Sequence, residues 1–340
     1  QWSAYPGFVM GTTAQQLQSW LRDLSDHFIR LPAEEIGAGI EAGLREIIDF
    51  LDVDRSTLFE FIGEEPILSA TYSSAREGVQ PFQPGSFVDI IPWYHRELVE
   101  GRTVILERIP DDLPAAATAE REYAARFGIR SNLTIPIMVG DRPTCALAVG
   151  SFRESRTWPE EVVDRLRIAG EILAAALHRS RASHEMKEAQ FLAQDFFDSF
   201  DSMAAVLNRE GTIIGINRAW RDGGPSGVLP GNLAVGNDYL EACEIAALDG
   251  DRDAAQALSG IRSVLAGEAP AFLMEYRCTK GDDDSWYLLR VLSRSQGEGA
   301  VLMHVDISSR VRNSAQLQQS LEENTALRKL VEEEKLYLQE

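Results

Sequence analysis

The sequence predicts an α+β protein of two domains, each an antiparallel sheet flanked by helices, with long helices joining them. Three observations carry this. The chain has 340 residues, and at about 100–200 residues per domain that suggests two. Strand-like runs come in neighbouring pairs joined by short turns, as in antiparallel hairpins, and do not alternate with helices as in a parallel sheet. Residues 171–201 contain neither Gly nor Pro, so one long helix can run between two strand-rich halves.

In the first half, Leu17, Leu21, Leu24, Phe28 and Leu31 lie three or four apart, one face of a helix over 15–30. Pro32 can open the next helix. Its apolar face is Ile36, Ile40, Leu44, Ile47, Ile48 and Leu51, and it ends near Asp52. STLFEFI (56–62) and ILSATYSS (67–74) read as strands joined by the turn GEEP. Residues 75–90 form a loop, Pro92–Glu100 a short helix, TVILERI (103–109) a strand and Ala116–Phe127 a helix ended by Gly128. SNLTIPIMV and TCALAVGSF make a hairpin around Gly140–Asp141. A long helix starts at Trp158–Pro159 and continues through the polar stretch 178–190.

In the second half, SMAAVLN (202–208) and TIIGIN (212–217) form a hairpin. NRAW opens a short helix, and GGPSGVLPG (223–231) is a loop. Two helices are expected near 236–248 and 251–266, then three strands over 271–278, 285–292 and 299–307, with GDDDS and SQGEG as turns. After Ser308 the pattern is helical to Glu340. The expected organisation is an N-terminal extension (1–14), a first domain (15–180), a helical connector (181–193), a second domain (194–310) and a C-terminal helical linker (311–340).

Composition narrows the function. Hydrophobic residues at 44% and charged residues at 25% are ordinary for a globular chain with a core. A net charge of −20 repels phosphate backbones and anionic lipid, so direct binding of nucleic acid or membrane by this segment is not expected. No apolar run of about 18 residues occurs, and QWSAYPGFVM lacks the pattern of a signal peptide. Three distant cysteines, Cys145, Cys243 and Cys278, do not make a disulfide framework. The expected location is the cytoplasm. The helical ending EEEKLYLQE has no stop signal, so a segment of a longer protein is expected.

Catalytic and metal motifs fail on inspection. No G-x-x-x-x-G-K-[ST] phosphate loop is present, and HEMKE is not H-E-x-x-H. His184–Glu185 has the look of a phosphoacceptor pair, but strands rather than an ATP-binding unit follow, so a solvated helix histidine is the reading. Asp249, Asp251 and Asp253 begin like a calcium loop, yet Ala254 and Gly260 stand where Gly and Glu are required. Helix capping is the better account. Neither catalytic residues nor a metal site are expected.

The order of elements over 15–180 resembles a GAF domain, above all in ELVEGRTVILERIPDDLPAAATAEREYAARFGIRSNLTIPIMVGDRPTCALAVGSFRESRTWPEEVVDRLRIAGEILAAAL. Residues 194–310 resemble a PAS domain through the hairpin leading into INRAW, the GNDYLEAC and GIRSVLAGE helices, the WYLLR strand and the closing HVDIS. The last string is similar to the D-I-T exit motif of PAS domains, which implies that Asp306 and Ser308 tie the sheet to the outgoing helix. The tail LEENTALRKLVEEEKLYLQE resembles the linker ahead of the ATPase of sigma-54-dependent transcription activators, and sensor histidine kinases carry similar linkers.

These resemblances imply a sensory module without catalysis, whose signal passes to an output domain beyond Glu340. They imply no particular cofactor. Cys243 in YLEACEIAA does not match the flavin-type N-C-R-F-L-Q helix. Residues 232–270 hold no histidine for haem. Cys145 falls in a strand rather than in a bilin-attachment loop, and the N-K-F-D-E pattern of cyclic-nucleotide GAF domains is absent. A small-molecule ligand would sit between sheet and covering helices. The candidates are Tyr72, Phe87, Trp93, Tyr123, Phe127 and Cys145 in the first domain, and Trp220, Tyr239, Cys243, Tyr276 and Trp286 in the second. The competing reading is that these side chains are core.

In the tail, Leu317, Asn324, Val331 and Leu338 repeat every seven residues, with Leu327 at the offset position. Asn at a core heptad position fixes register in a parallel dimer, so a parallel homodimer is expected. The competing reading is a lone amphipathic helix. A ligand-free dimerisation scaffold is the remaining alternative function.

Overall fold

The computed structural model describes residues 14–63, 66–83, 85–87, 90–222, 233–280, 283–294 and 298–337. The expected loop 223–231, Asp282 and Leu338 lie outside them. The chain divides into two compact units, with the division between Lys187 and Glu188.

The first unit contains α1 (Ala14–Arg30), α2 (Ile36–Leu51), β1 (Arg55–Ile62), β2 (Ile67–Ala75), β3 (Gly85–Ser86), α3 (Pro92–Val99), β4 (Val104–Leu106), α4 (Thr118–Phe127), β5 (Ser131–Val139), β6 (Arg142–Ser151) and the start of α5 (Glu160–Asp198). Its sheet runs β3-β2-β1-β6-β5-β4, with every pair antiparallel. The spacing of apolar residues on α2 explains its place: Ile36, Ile40, Leu44, Ile47, Ile48 and Leu51 are all buried. Each such side chain contributes about 1.5–3 kcal/mol when removed from water.

The two faces of this sheet differ. Cys145, Leu147 and Val149 of β6 join Leu133 and Ile135 of β5 under α1, α2 and α5. There α5 lies against the sheet, because a Cβ on Gly170 would come within 2.7 Å of Ile137. The intervening residues Ala146 and Ala148 face the opposite side, with Phe59, Leu68, Leu98 and Leu106. Small side chains in mid-sheet leave room beneath α3 and α4.

One strand is shorter than expected. The run 103–109 is extended only over Val104–Leu106. The Asp112 carboxylate accepts the backbone N–H groups of Glu107 (2.8 Å) and Arg108 (2.7 Å). This local side-chain bonding outcompetes the ladder.

The second unit contains the end of α5, β7 (Met203–Leu207), β8 (Ile213–Ile216), α6 (Arg218–Arg221), α7 (Tyr239–Leu248), α8 (Arg252–Leu265), β9 (Ala271–Lys280), β10 (Asp283–Ser293), β11 (Ala300–Asp306) and α9 (Ser308–Tyr337). Its antiparallel sheet runs β8-β7-β11-β10-β9. Leu207, Ile213, Trp220, Ile261, Leu289, Val291 and Leu302 form its core. Asp238 caps α7 by accepting from Leu240 N (2.8 Å), and Asp251 caps α8 by accepting from Asp253 N (2.9 Å) and Ala254 N (3.0 Å). Both are ordinary N-caps.

Candidate functional site

The space beneath α3 and α4 is a cavity of about 60 Å³. Its floor is Ala148 of β6 and Phe59 of β1, and Leu98, Leu106 and Leu113 make its apolar wall. Six polar side chains line it: Arg55, Tyr94, Glu120, Tyr123, Asn132 and Thr134.

Arg55 begins β1 and is only 5% exposed. Its guanidinium carbon sits 3.8 Å from the centre of the Phe82 ring and 4.8 Å from that of Phe152. Nη1 donates to the Gln80 carbonyl (3.2 Å). Burial lowers its pKa, and Tyr123 opposes that shift. Glu120 of α4 is likewise 5% exposed. Its Oε1 accepts from Trp93 N (2.7 Å) and Tyr94 N (3.2 Å) at the start of α3. Its Oε2 is buried without a partner. Tyr94 is clamped through its hydroxyl to Asn132 and to Thr134 (2.9 Å), and burial raises its pKa.

Of the first-domain candidates, Tyr123 lines the cavity. Phe87 stands behind Phe82 at 4.7 Å between ring centres. Trp93 meets the site through its backbone N–H to Glu120. Phe127 is exposed and its ring lies tilted against Tyr123, 4.5 Å between centres. Cys145 is buried in the core on the other face of the sheet, and Tyr72 packs against that core while lining a separate pocket with Gly37, Thr71 and Arg181. That burial pushes the Cys145 thiol up to about 12, which leaves it neutral and unreactive. Arg55, Tyr94 and Glu120 were not among the candidates. A signal existed for Glu120, which shares a helix face with Ala117 and Ala124 at i−3 and i+4.

In the second unit, His304 of β11 is buried. Tyr239 hydroxyl lies 3.1 Å from its Nε2 and Tyr276 hydroxyl 2.6 Å from its Nδ1. Trp220 lies tilted beside it, 5.8 Å between ring centres, and donates its indole N–H to the Leu233 carbonyl (2.8 Å). Cys243 is buried in the same core, its thiol pushed up to about 11. Trp220, Tyr239, Cys243 and Tyr276 are thus gathered around one histidine. Trp286 is not: it pairs with Arg277 on β9 and faces away, whereas the next residue, Tyr287, pairs with Tyr276 and faces the core.

At the exit from the sheet, Asp306 accepts the backbone N–H of Ser308 (2.8 Å), and Ser308 Oγ accepts that of Trp286 (2.9 Å). Beyond it, Leu317 and Leu327 of α9 are exposed, as is Asn324, whose amide donates to the Ser320 carbonyl (2.9 Å). The Val331 side chain is outside the described set. Among the described residues there is no cluster of His, Cys, Asp and Glu suited to a metal, and no helix is long and apolar enough to cross a membrane.

The two units are sensory domains of the kind carried by signalling proteins. Residues 39–177 match the family model of the GAF domain and residues 197–312 that of the PAS fold, so the chain carries a GAF domain followed by a PAS domain. An uncharacterized 104.1 kDa protein of Rhodobacter capsulatus is 36% identical over 125 residues, 34% of this chain and 13% of the relative. The circadian input-output histidine kinase CikA of Thermosynechococcus vestitus is 26% identical over 157 residues, 44% of this chain and 21% of the relative. The chain therefore spans about a fifth or less of these relatives. Among solved structures, the phycocyanobilin-bound GAF domain of a cyanobacterial phytochrome aligns with 20% identity and a TM-score of 0.41, covering 49% of this chain and 97% of that one. The GAF domain of a phosphoenolpyruvate-protein phosphotransferase from Coxiella burnetii aligns with 17% identity and a TM-score of 0.41, covering 51% and 99%.

Proposed function

We propose that this chain is a non-catalytic sensory and dimerisation module that takes a small molecule in the GAF cavity. The cavity carries the reading: a buried carboxylate oxygen without a partner and a buried guanidinium line one apolar space. Unpartnered buried polar atoms cost stability, and a ligand removes that cost. The signal leaves through α5 and α9 toward an output domain. The chain acts as a parallel homodimer: Met186 and Phe196 on α5, and Leu317 and Leu327 on α9, are apolar and exposed, as coiled-coil seams are before pairing. The likeness of the tail supports an enhancer-dependent ATPase as output. The resemblance to a histidine kinase relative supports a kinase as the second reading. A bilin linked at the cavity finds no cysteine there, since all three cysteines are buried in the cores on other surfaces.

Native mass spectrometry of the purified chain, before and after denaturation, tests this. A dimer that releases a small mass is the expected result. A monomer that neither retains nor takes up any small molecule overturns it.

A further inference from the structure

Resting on the reading of the GAF cavity as a ligand site, we infer that its ligand is a small zwitterion, an α-amino acid whose carboxylate meets Arg55 and whose ammonium meets Glu120 Oε2. The two charges line the same cavity, and no ion pair within 4.0 Å joins them to each other. Glu120 spends Oε1 on the N-terminus of α3 and leaves Oε2 free. That oxygen needs a donor. Arg55 has no carboxylate within ion-pair distance among the described residues; two aromatic rings, a backbone carbonyl and the neutral Tyr123 hydroxyl are its neighbours. A guanidinium fork is suited to a carboxylate. Buried charges of both signs, held apart, are complementary to a molecule that carries both.

Size narrows the class further. A cavity of about 60 Å³ is several times the ~10–15 Å³ minimum for one water and suits a small molecule. Glycine, alanine and serine are among the smallest molecules that carry both charges. A nucleotide or a tetrapyrrole is far larger. Leu98, Leu106 and Leu113 give a short aliphatic side chain an apolar wall.

The test is calorimetric titration of the full chain, freed of any retained molecule, with glycine, L-alanine, L-serine, propionate and ethylamine, each at up to about 10 mM. Propionate and ethylamine each carry half of the alanine charge pattern. At least one amino acid is expected to bind at least about tenfold more tightly than either half. E120Q, which keeps shape and acceptor oxygen, is expected to weaken that amino acid by about tenfold or more while leaving thermal unfolding near that of the parent. Binding of propionate or ethylamine as tightly as the amino acids overturns the inference and leaves the sensory reading standing. So does a retained molecule, released on denaturation, that is not an amino acid. If no probe binds, the inference falls; the sensory reading falls with it only if the chain is also a monomer that retains no small molecule.

Discussion

Glu60 of β1 and Arg181 of α5 meet at 2.5 Å, carboxylate to guanidinium. The carboxylate is buried and the guanidinium half-exposed. Thr71 of β2 donates to the same oxygen at 2.6 Å. Thr71 is the extra residue where the β1–β2 register shifts between Leu58 and Phe59, and such a bulge re-aims a side chain. Phe59, the neighbour of Glu60, lines the cavity on the opposite face. One step along β1 thus separates the cavity from the latch on the long helix.

Arg181→Ala leaves Glu60 buried with only the Thr71 hydroxyl. It is expected to destabilise the first unit by about 1–3 kcal/mol, less than for a fully buried pair because Arg181 is half in water. Urea unfolding of Arg181→Ala beside the parent checks this. Equal midpoints would mean that the latch carries no stability.

Asn217 closes the start of α6. Its Oδ1 accepts from Ala204 N (2.9 Å) and Trp220 N (3.1 Å), and its Nδ2 donates to the Phe200 and Ser202 carbonyls (3.2 and 2.8 Å). Asn217→Ala strands these backbone groups and is expected to cost about 2–4 kcal/mol. Hydrogen exchange at the Ala204 and Trp220 amides reports it site by site.

His304 makes the PAS domain acid-sensitive. Burial lowers its pKa from 6.5 to about 3. Below pH 6.5 the unfolded chain takes up a proton that the folded one refuses. Stability is therefore full above 6.5 and falls as pH drops toward 3. Between about pH 7.5 and about pH 5.5 the parent is expected to lose about 1 kcal/mol more than His304→Gln, which keeps one donor and one acceptor for Tyr239 and Tyr276. Denaturant melts of both proteins at the two pH values measure the difference; parallel losses would exclude His304 as the source.

Ser308→Ala removes the acceptor for the Trp286 N–H, while Ser308→Thr keeps it. The alanine variant is expected to lose about 1 kcal/mol and the threonine variant little. If the two variants unfold together, the hydroxyl does not tie α9 to β10.

Most of the elements were legible because period and punctuation are local properties. The apolar repeat of α2, the Gly140–Asp141 turn and the Gly- and Pro-free run of α5 each follow from a few adjacent residues. The face that a strand turns to a cavity is not local. Cys145 and Ala146 alternate whatever covers them, and only the packing of α1, α2 and α5 assigns the cysteine side to a filled core. Trp286 and Tyr287 show the same limit, since a single residue decides the face.

The sequence by itself determined two α+β domains, their order, the long helix between them and the string that ties Asp306 to Ser308. Hydrophobic period and turn chemistry suffice for these. Only the tertiary structure decided the site. Arg55 and Glu120 are 65 residues apart, and as isolated letters each reads as an ordinary surface charge. Folding places both at one cavity, under small side chains in mid-sheet, and burial there is what gives a charge its need for a partner.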